Sequence, residues 1–416
     1  MHVLMCDAQC WGFEHARFNA GLVRTVQCAW PEARIHFLGE RTHLEHVRSV
    51  MQQHGADDEV GLSWEGISIP AREARDWKRM PHEWSWSGRL INRARQLQPK
   101  LVVVCSVTNT SLLALKLAMH KAGLEVPTLA LPHSSLRWLL KPPPRTPWNR
   151  LVGLRNVLRV PNPRALRLVA LGPSVHKWVL KLCVGDPAAW VVLDAPYLWP
   201  EVPASRTDAD AHPKVIRFGY LGMVMQGFEL FKRLADEVSS EHPSVEFELV
   251  GFVPANMLDM ASSPHVRGIT TEPLSFDVFV RRADALTYAV GTRNPEIYKV
   301  ISSVTFIDAL ACLKPGIYLR NPYLEHYFER MGDVGYLCDD YDALRDVVRE
   351  ICQEFPHERY RQQVHNILKG RRLFEPATVA RQLRTIIDAC EEDLRSGAKG
   401  RAADARVSPR ASEVTS

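Results

Sequence analysis

The chain has 416 residues, of which 46% are hydrophobic and 24% charged, with a formal net charge of +5. That length is too great for one ordinary core and suits two domains of roughly 150 to 200 residues plus a tail, and the balance of residue types excludes a disordered or fibrous protein. No cationic segment precedes a hydrophobic run at the start, and no run of about 18 apolar residues occurs anywhere, so a signal peptide and a membrane span are not expected and a cytoplasmic protein is.

The first predicted element is a strand over 2–6, followed by a helix that places Phe18, Leu22, Val26 and Trp30 on one face. Further strands are predicted at 35–38, 101–105, 127–131, 167–171 and 190–193. These are short, continuous, β-branched runs separated by helical patterns, the mark of a parallel sheet covered on both faces. Residues 196–214 hold four prolines in a polar stretch without periodicity and read as a linker between a first domain, 1–195, and a second, 215–375. The second series opens with a strand at 215–221 and a helix presenting Phe228, Phe231, Leu234, Ala235 and Val238 on one side. Strands at 245–250 and 284–290, a helix at 303–311, a strand after Lys314-Pro315 and a helix at 341–355 follow. An amphipathic helix is predicted over 376–394, and the small, polar segment 395–416 is expected to be disordered.

Nine cysteines lie scattered in apolar stretches with no CxxC pair, which fits reduced, packed thiols. Cys6 and Cys10 lack a second ligand pair at zinc spacing, so no metal is expected. Charge is distributed unevenly. Between Glu125 and Asp186 there is no acidic residue, while ten cations from Arg137 to Lys181 stand beside Trp138, Trp148 and Trp178. Such a block is either a solvated face or a surface for anionic membrane headgroups or diphosphates, so 137–181 is a candidate for peripheral membrane contact. Nothing in the pattern points to nucleic acid.

Parallel sheets bind ligands beyond the carboxyl ends of their strands, where loops and helix N-termini present unpaired N–H groups. In the first half this directs attention to Asp7 through His15, Ser106 to Asn109 and Pro132-His133-Ser134. His133, placed where a strand ends, is a candidate general base or phosphate ligand, and Glu14 and His15 are similar candidates just before a helix. Each has a structural alternative: a satisfied histidine at a core edge, or a glutamate facing a helix dipole. In the second half, Gly219 and Gly222 allow close backbone approach, Arg293 and Lys299 supply charge near Tyr298, and Ser302 and Ser303 offer hydroxyl and N–H groups at a helix start. Asp308 could accept hydrogen bonds from sugar or ribose hydroxyls. The alternatives are turn glycines, a serine helix cap and a helix partner of Lys314.

The stretch from Val215 to Lys314, with FGYLG, GFELFKRLADEV, FELVG and YKVISSVTFIDALACLKPGIYL, resembles the donor domain of bacterial GT-B glycosyltransferases of polysaccharide and lipopolysaccharide assembly. A looser likeness in the first half rests on WGFEH after the first strand, on Pro-His-Ser, and on Ala195-Pro196-Tyr197-Leu198-Trp199. The resemblance covers roughly residues 1–390 and implies an α/β protein of two Rossmann-like domains facing across a cleft, with the donor held by the second. It also implies a nucleotide-sugar as co-substrate, no other cofactor, and transfer to a saccharide or lipid-linked acceptor. Many retaining members place an Arg and a Lys in the donor loop where Met223 and Gln226 stand here, and two glutamates eight positions apart where Val300 and Asp308 stand. The diphosphate is therefore left to other cations, Lys299 and Arg293 being the nearest in the loops. Two readings from other classes remain beside transfer: a nucleotide-sugar epimerase, and a catalytically silent binding or scaffold protein.

Overall fold

The computed structural model describes residues 1–55, 61–70, 76–142, 146–182, 184–200, 213 and 215–407. The predicted linker 196–214 lies largely outside the described residues. The chain divides into two compact units, the first comprising Met1–Ala170, Leu182–Pro196 and the segment from Pro376 onward, the second Leu171–Lys181 and Tyr197–Glu375.

The first unit is built on a seven-stranded sheet in the order β3-β2-β1-β4-β5-β6-β7. Its strands are β1 (His2–Asp7), β2 (Arg34–Gly39), β3 (Leu62–Gly66), β4 (Leu101–Ser106), β5 (Thr128–Ala130), β6 (Leu166–Leu171) and β7 (Trp190–Leu193). From β3 to β6 every neighbour is parallel. The long hydrophobic runs become central strands, and β4 is buried along its whole length, as a strand covered on both faces requires. The edge strand β3 was not anticipated: its LSWEG sequence is half exposed and carries too little apolar signal. Helices α1 (Ala16–Ala29), α2 (Arg41–Gln53), α3 (Asp76–Leu97) and α4 (Asn109–Ala122) connect the strands. In α1, Leu22 and Val26 are buried and Phe18 and Trp30 half-buried, so the expected face is the packed one. Helix α4 starts on a capping box in which the Thr108 and Ser111 side chains serve each other's backbone N–H groups. After β5 come a 3₁₀ helix, His133–Leu140, and two short helices, α5 (Pro147–Leu151) and α6 (Leu154–Arg159).

The C-terminal helix corrects one expectation. It runs from Pro376 to Val407, so the segment predicted to be disordered from Arg395 continues as helix as far as residue 407, and the rest of that segment is outside the described residues. It also packs on α1 of the first unit. Arg384 donates to the carbonyls of Ala29 and Cys28 at 2.7 and 2.9 Å, satisfying acceptors at the end of α1. Gln382 holds Asp194 through two hydrogen bonds of 2.9 Å. The basic run 137–181 is likewise not one surface. Arg167 is paired with Asp393 at 2.6 Å, and Lys177 and Lys181 lie on α7 (Pro173–Lys181), which belongs to the second unit.

The second unit carries a six-stranded sheet in the order β10-β9-β8-β11-β12-β13, again parallel throughout. The strands are β8 (Arg217–Met223), β9 (Glu246–Phe252), β10 (Val266–Arg267), β11 (Tyr288–Gly291), β12 (Gly316–Leu319) and β13 (Gly335–Cys338). Its core is aromatic: Phe218 stacks on Phe247 and Tyr288, and Tyr220 meets Phe228 and Phe231 of the helix Phe228–Glu241. All five residues predicted for the inner face of that helix are buried.

Both sheets share one plan, in which strand order reverses beside the first strand, between β1 and β4 and between β8 and β11. On the other side of β8 the backbones of β8 and β9 approach so closely that a Cβ on Gly251 would lie 1.9 Å from the Gly222 carbonyl oxygen. Gly251→Ala is expected to destabilise the protein by about 1–3 kcal/mol through this overpacking. Gly66→Ala on β3, where an added Cβ meets nothing within 4 Å, should stay within about 0.5 kcal/mol of wild type. Equal melting temperatures for the two variants would contradict the close approach.

Candidate functional site

At the first reversal the ends of β1 and β4 meet around one buried carboxylate. Asp7 is fully buried, and accepts hydrogen bonds from the backbone N–H groups of Gln9 and Cys10 (3.0 and 3.1 Å), from Asn19 Nδ2 (2.7 Å) and from Ser106 Oγ (3.2 Å). Burial alone would raise its pKa, but His43, Asn19 and the loop N–H groups outweigh it and hold Asp7 below the ordinary carboxylate range. The second Asn19 N–H reaches His43 Nε2 at 2.8 Å, and His43 Nδ1 lies 2.9 Å from the Gly12 carbonyl. Asp7, Asn19, His43 and Ser106 thus clamp both ends of the loop that carries Glu14 and His15. Asp7 and Ser106 open the strand-exit stretches to which the sequence pointed, whereas Asn19 and His43 were not singled out. The signal at Asp7 was an acid closing an otherwise apolar strand.

Beyond this clamp, His15 occupies the N-cap of α1 in the left-handed region, with φ at 52°, a conformation that non-glycine residues seldom adopt and that concentrates at functional positions. Its ring centroid lies 5.0 Å from that of His133, and the edge of Phe18 meets His133 at 4.7 Å. His133 Nε2 is 2.5 Å from the Cys105 carbonyl, so this nitrogen carries the proton and donates, leaving Nδ1 as the acceptor. Desolvation lowers both histidines' pKa values, and the proximity of His15 lowers that of His133 further. The pair is neutral near pH 7 and able to accept a proton or a hydrogen bond. Glu14 instead closes its own turn: its carboxylate accepts from Trp11 N–H at 3.2 Å and its N–H donates to the Trp11 carbonyl at 3.0 Å.

At the second reversal, Arg293 spans the exit of β8. Its Nε donates to the Tyr220 hydroxyl and its Nη2 to the Met223 carbonyl, both at 3.0 Å, and Tyr298 is a further partner. Every one of these partners is neutral. Burial raises the pKa of Tyr220 against the opposing pull of Arg293, so the phenol stays protonated. Gly222, at φ 84°, faces this guanidinium, and an added Cβ would stand 3.6 Å from Nη2. A pocket lined by Tyr220, Arg293, Tyr298, Ser303, Thr305 and Tyr318 lies there. It leaves about 20 Å³ of free space, room for a water-sized group.

The remaining candidates are arranged differently. Gly219 is a packing glycine, since a Cβ there would lie 2.1 Å from Leu286 Cδ1. Ser303 caps the helix Val304–Ala311 by accepting from Phe306 N–H at 3.3 Å, with Ser302 half-buried just before it. Lys299 is already paired with Glu296 at 2.6 Å and lies over the Trp178 ring at 4.8 Å. Asp308 is buried, its Oδ1 accepting from the Tyr197 hydroxyl at 2.8 Å, and it does not line the pocket. Among the described residues no group of three or more His, Cys, Asp or Glu side chains could hold a metal ion, and no helix is long and apolar enough to cross a membrane.

The Asp7 clamp makes a pH-dependent prediction. Because its folded pKa is depressed, Asp7 stabilises the fold above the ordinary carboxylate range, and that contribution is lost as pH falls through the depressed value. Asp7→Asn is expected to cost about 1.5–3 kcal/mol at pH 7. In denaturant titrations the gap from wild type should narrow below pH ~4; a gap independent of pH would contradict the assignment.

No family model matches the chain, and no curated protein matches its sequence. Solved structures do match its fold. The Anabaena HepE protein, crystallised with UDP and with UDP-glucose, superposes with a TM-score of 0.62 at 13% and 11% identity, over 94% of this chain and 100% of that one. The UDP-forming α,α-trehalose-phosphate synthase of Burkholderia xenovorans, in complex with glucose 6-phosphate, gives 0.60 at 9% identity over 93% and 100%. The UDP-GlcNAc 2-epimerase of Neisseria meningitidis, bound to UDP-GlcNAc, gives 0.53 at 13% over 94% and 100%. With two parallel sheets of matching strand order and this full-length likeness, the chain has the GT-B fold of two Rossmann-like α/β domains.

Proposed function

We propose that the protein is a glycosyltransferase that binds a nucleoside diphosphate-sugar at the carboxyl ends of β8 and β11 and passes the sugar to a saccharide or lipid-linked acceptor, in surface polysaccharide assembly. The observation that carries this reading is Arg293, a cation held only by neutral partners at the strand reversal of an open parallel sheet. A guanidinium without a carboxylate is suited to a diphosphate. Gly222 sets no side chain beside it, and Ser302 and Ser303 offer hydroxyls, with the N–H groups of a helix start behind them. In transfer the acceptor oxygen bonds to the anomeric carbon while the bond from that carbon to the diphosphate breaks. The hydroxyl proton passes to a base, and within the second unit Arg293 offsets the charge that grows on the departing diphosphate. In this reading Lys299 and Asp308, each already engaged, hold the loop and helix in place. The similar fold crystallised in complex with UDP and with UDP-glucose supports the donor class.

Epimerisation is the second reading, favoured by the UDP-GlcNAc 2-epimerases of the same fold. Two measurements address donor binding and reaction class. Calorimetry with a panel of nucleoside diphosphates should show binding, weakened about 10- to 150-fold in a folded Arg293→Gln protein. Mass spectrometry and NMR of the donor sugar, with and without saccharide acceptors, should show consumption only when acceptor is present. Conversion without acceptor would assign an epimerase, and unchanged affinity in Arg293→Gln would remove the basis of the donor site.

A further inference from the structure

The 3₁₀ helix His133–Leu140 and helices α5 and α6 form one patch of the first unit. Leu136, Leu139, Val152, Leu154, Val157 and Leu158 are buried beneath it. Arg155 donates to the Leu139 carbonyl and Asn156 to the Arg150 carbonyl, so α6 ties the other two helices together. The outer side is unusual for a surface so well anchored: Trp138, Leu140, Trp148 and Leu151 are 48%, 37%, 39% and 63% exposed. Interleaved with them are the exposed cations Arg137, Lys141, Arg150 and Arg159. None of the ion pairs of the described residues involves Arg137, Lys141 or Arg159, and the segment itself contains no acid. Lys141 and Arg137 sit 4.6 and 5.6 Å from the Trp138 ring, holding charge beside an exposed indole.

We propose that this face docks on an anionic lipid bilayer, with Trp138, Leu140, Trp148 and Leu151 entering the headgroup boundary and Arg137, Lys141, Arg150 and Arg159 meeting lipid phosphates. Two chemistries together select the partner. The cations require a polyanionic surface, and the exposed leucines and tryptophans gain only if that surface also offers an apolar layer, which a nucleic acid backbone does not. The proposal narrows the basic run of the sequence to residues 137–159, because Arg167 is neutralised and Lys177 and Lys181 belong to the other unit. It stands whether or not the protein transfers sugar.

The test is flotation of the full chain with vesicles of phosphatidylglycerol and phosphatidylcholine, against pure phosphatidylcholine, in low and high salt. Binding is expected to the anionic vesicles and to fall steeply with salt. Arg137→Gln with Lys141→Gln should lower partitioning roughly 30-fold. Trp138→Ser with Leu151→Ser should lower it at least about tenfold, with melting temperatures unchanged in both variants. Equal binding to neutral vesicles, or none to anionic ones, would overturn the proposal. Full retention by the Trp138/Leu151 variant, or equally tight binding to duplex DNA in the same buffer, would reassign the patch to polyanions in general.

Discussion

Both units are organised around the point where a parallel sheet reverses its strand order. Crossovers leave β1 and β4, and likewise β8 and β11, in opposite directions, so at their carboxyl ends no connection covers the adjacent strand tips. Backbone and side-chain polar groups exposed by that gap must find partners there. The two units satisfy this demand with opposite charges.

In the first unit the gap is filled from within. Asp7 supplies a buried anion, and its loop, Asn19 of α1 and Ser106 of β4 supply the donors. A fully hydrogen-bonded carboxylate of this kind rigidifies its surroundings, and here it fixes the loop that must hold His15 in a left-handed conformation. In the second unit the gap holds a guanidinium whose hydrogen bonds are made but whose charge is not balanced. The first unit's network balances its buried charge within hydrogen bonds, and the second unit's cation is held by phenol and carbonyl oxygens.

Much of the architecture was legible because central parallel strands are written as unbroken apolar runs: the LVVVC signal at 101–105 became β4, Leu101–Ser106. Of the edge strands, β7 was legible from its WVVL run, and the other three escaped for the same physical reason. β3, β10 and β13 are short or half-exposed, and burial is what enforces an apolar pattern. Helix 376–394 was visible as amphipathic, but the identity of the surface it covers is not encoded in its own periodicity. At the site, Arg293 was legible as a loop cation. The engagement of Asp308 was not, since Tyr197 lies 111 positions away. The pairing of Lys299 with Glu296, three residues apart, was within reach of the sequence, because such spacing favours contact.

The return of the helix Pro376–Val407 to α1 makes the first unit discontinuous, with the second unit set into it. Arg384 bonds to carbonyls 355 and 356 positions earlier. A chain emerging from the ribosome therefore exposes the α1 surface, including the carbonyl ends that Arg384 later satisfies, throughout synthesis of the intervening residues. The second unit, contiguous apart from α7, can reach its own core during that interval. The first cannot close until residue 384 has been synthesised, and contacts of such long sequence separation are the slow ones to form.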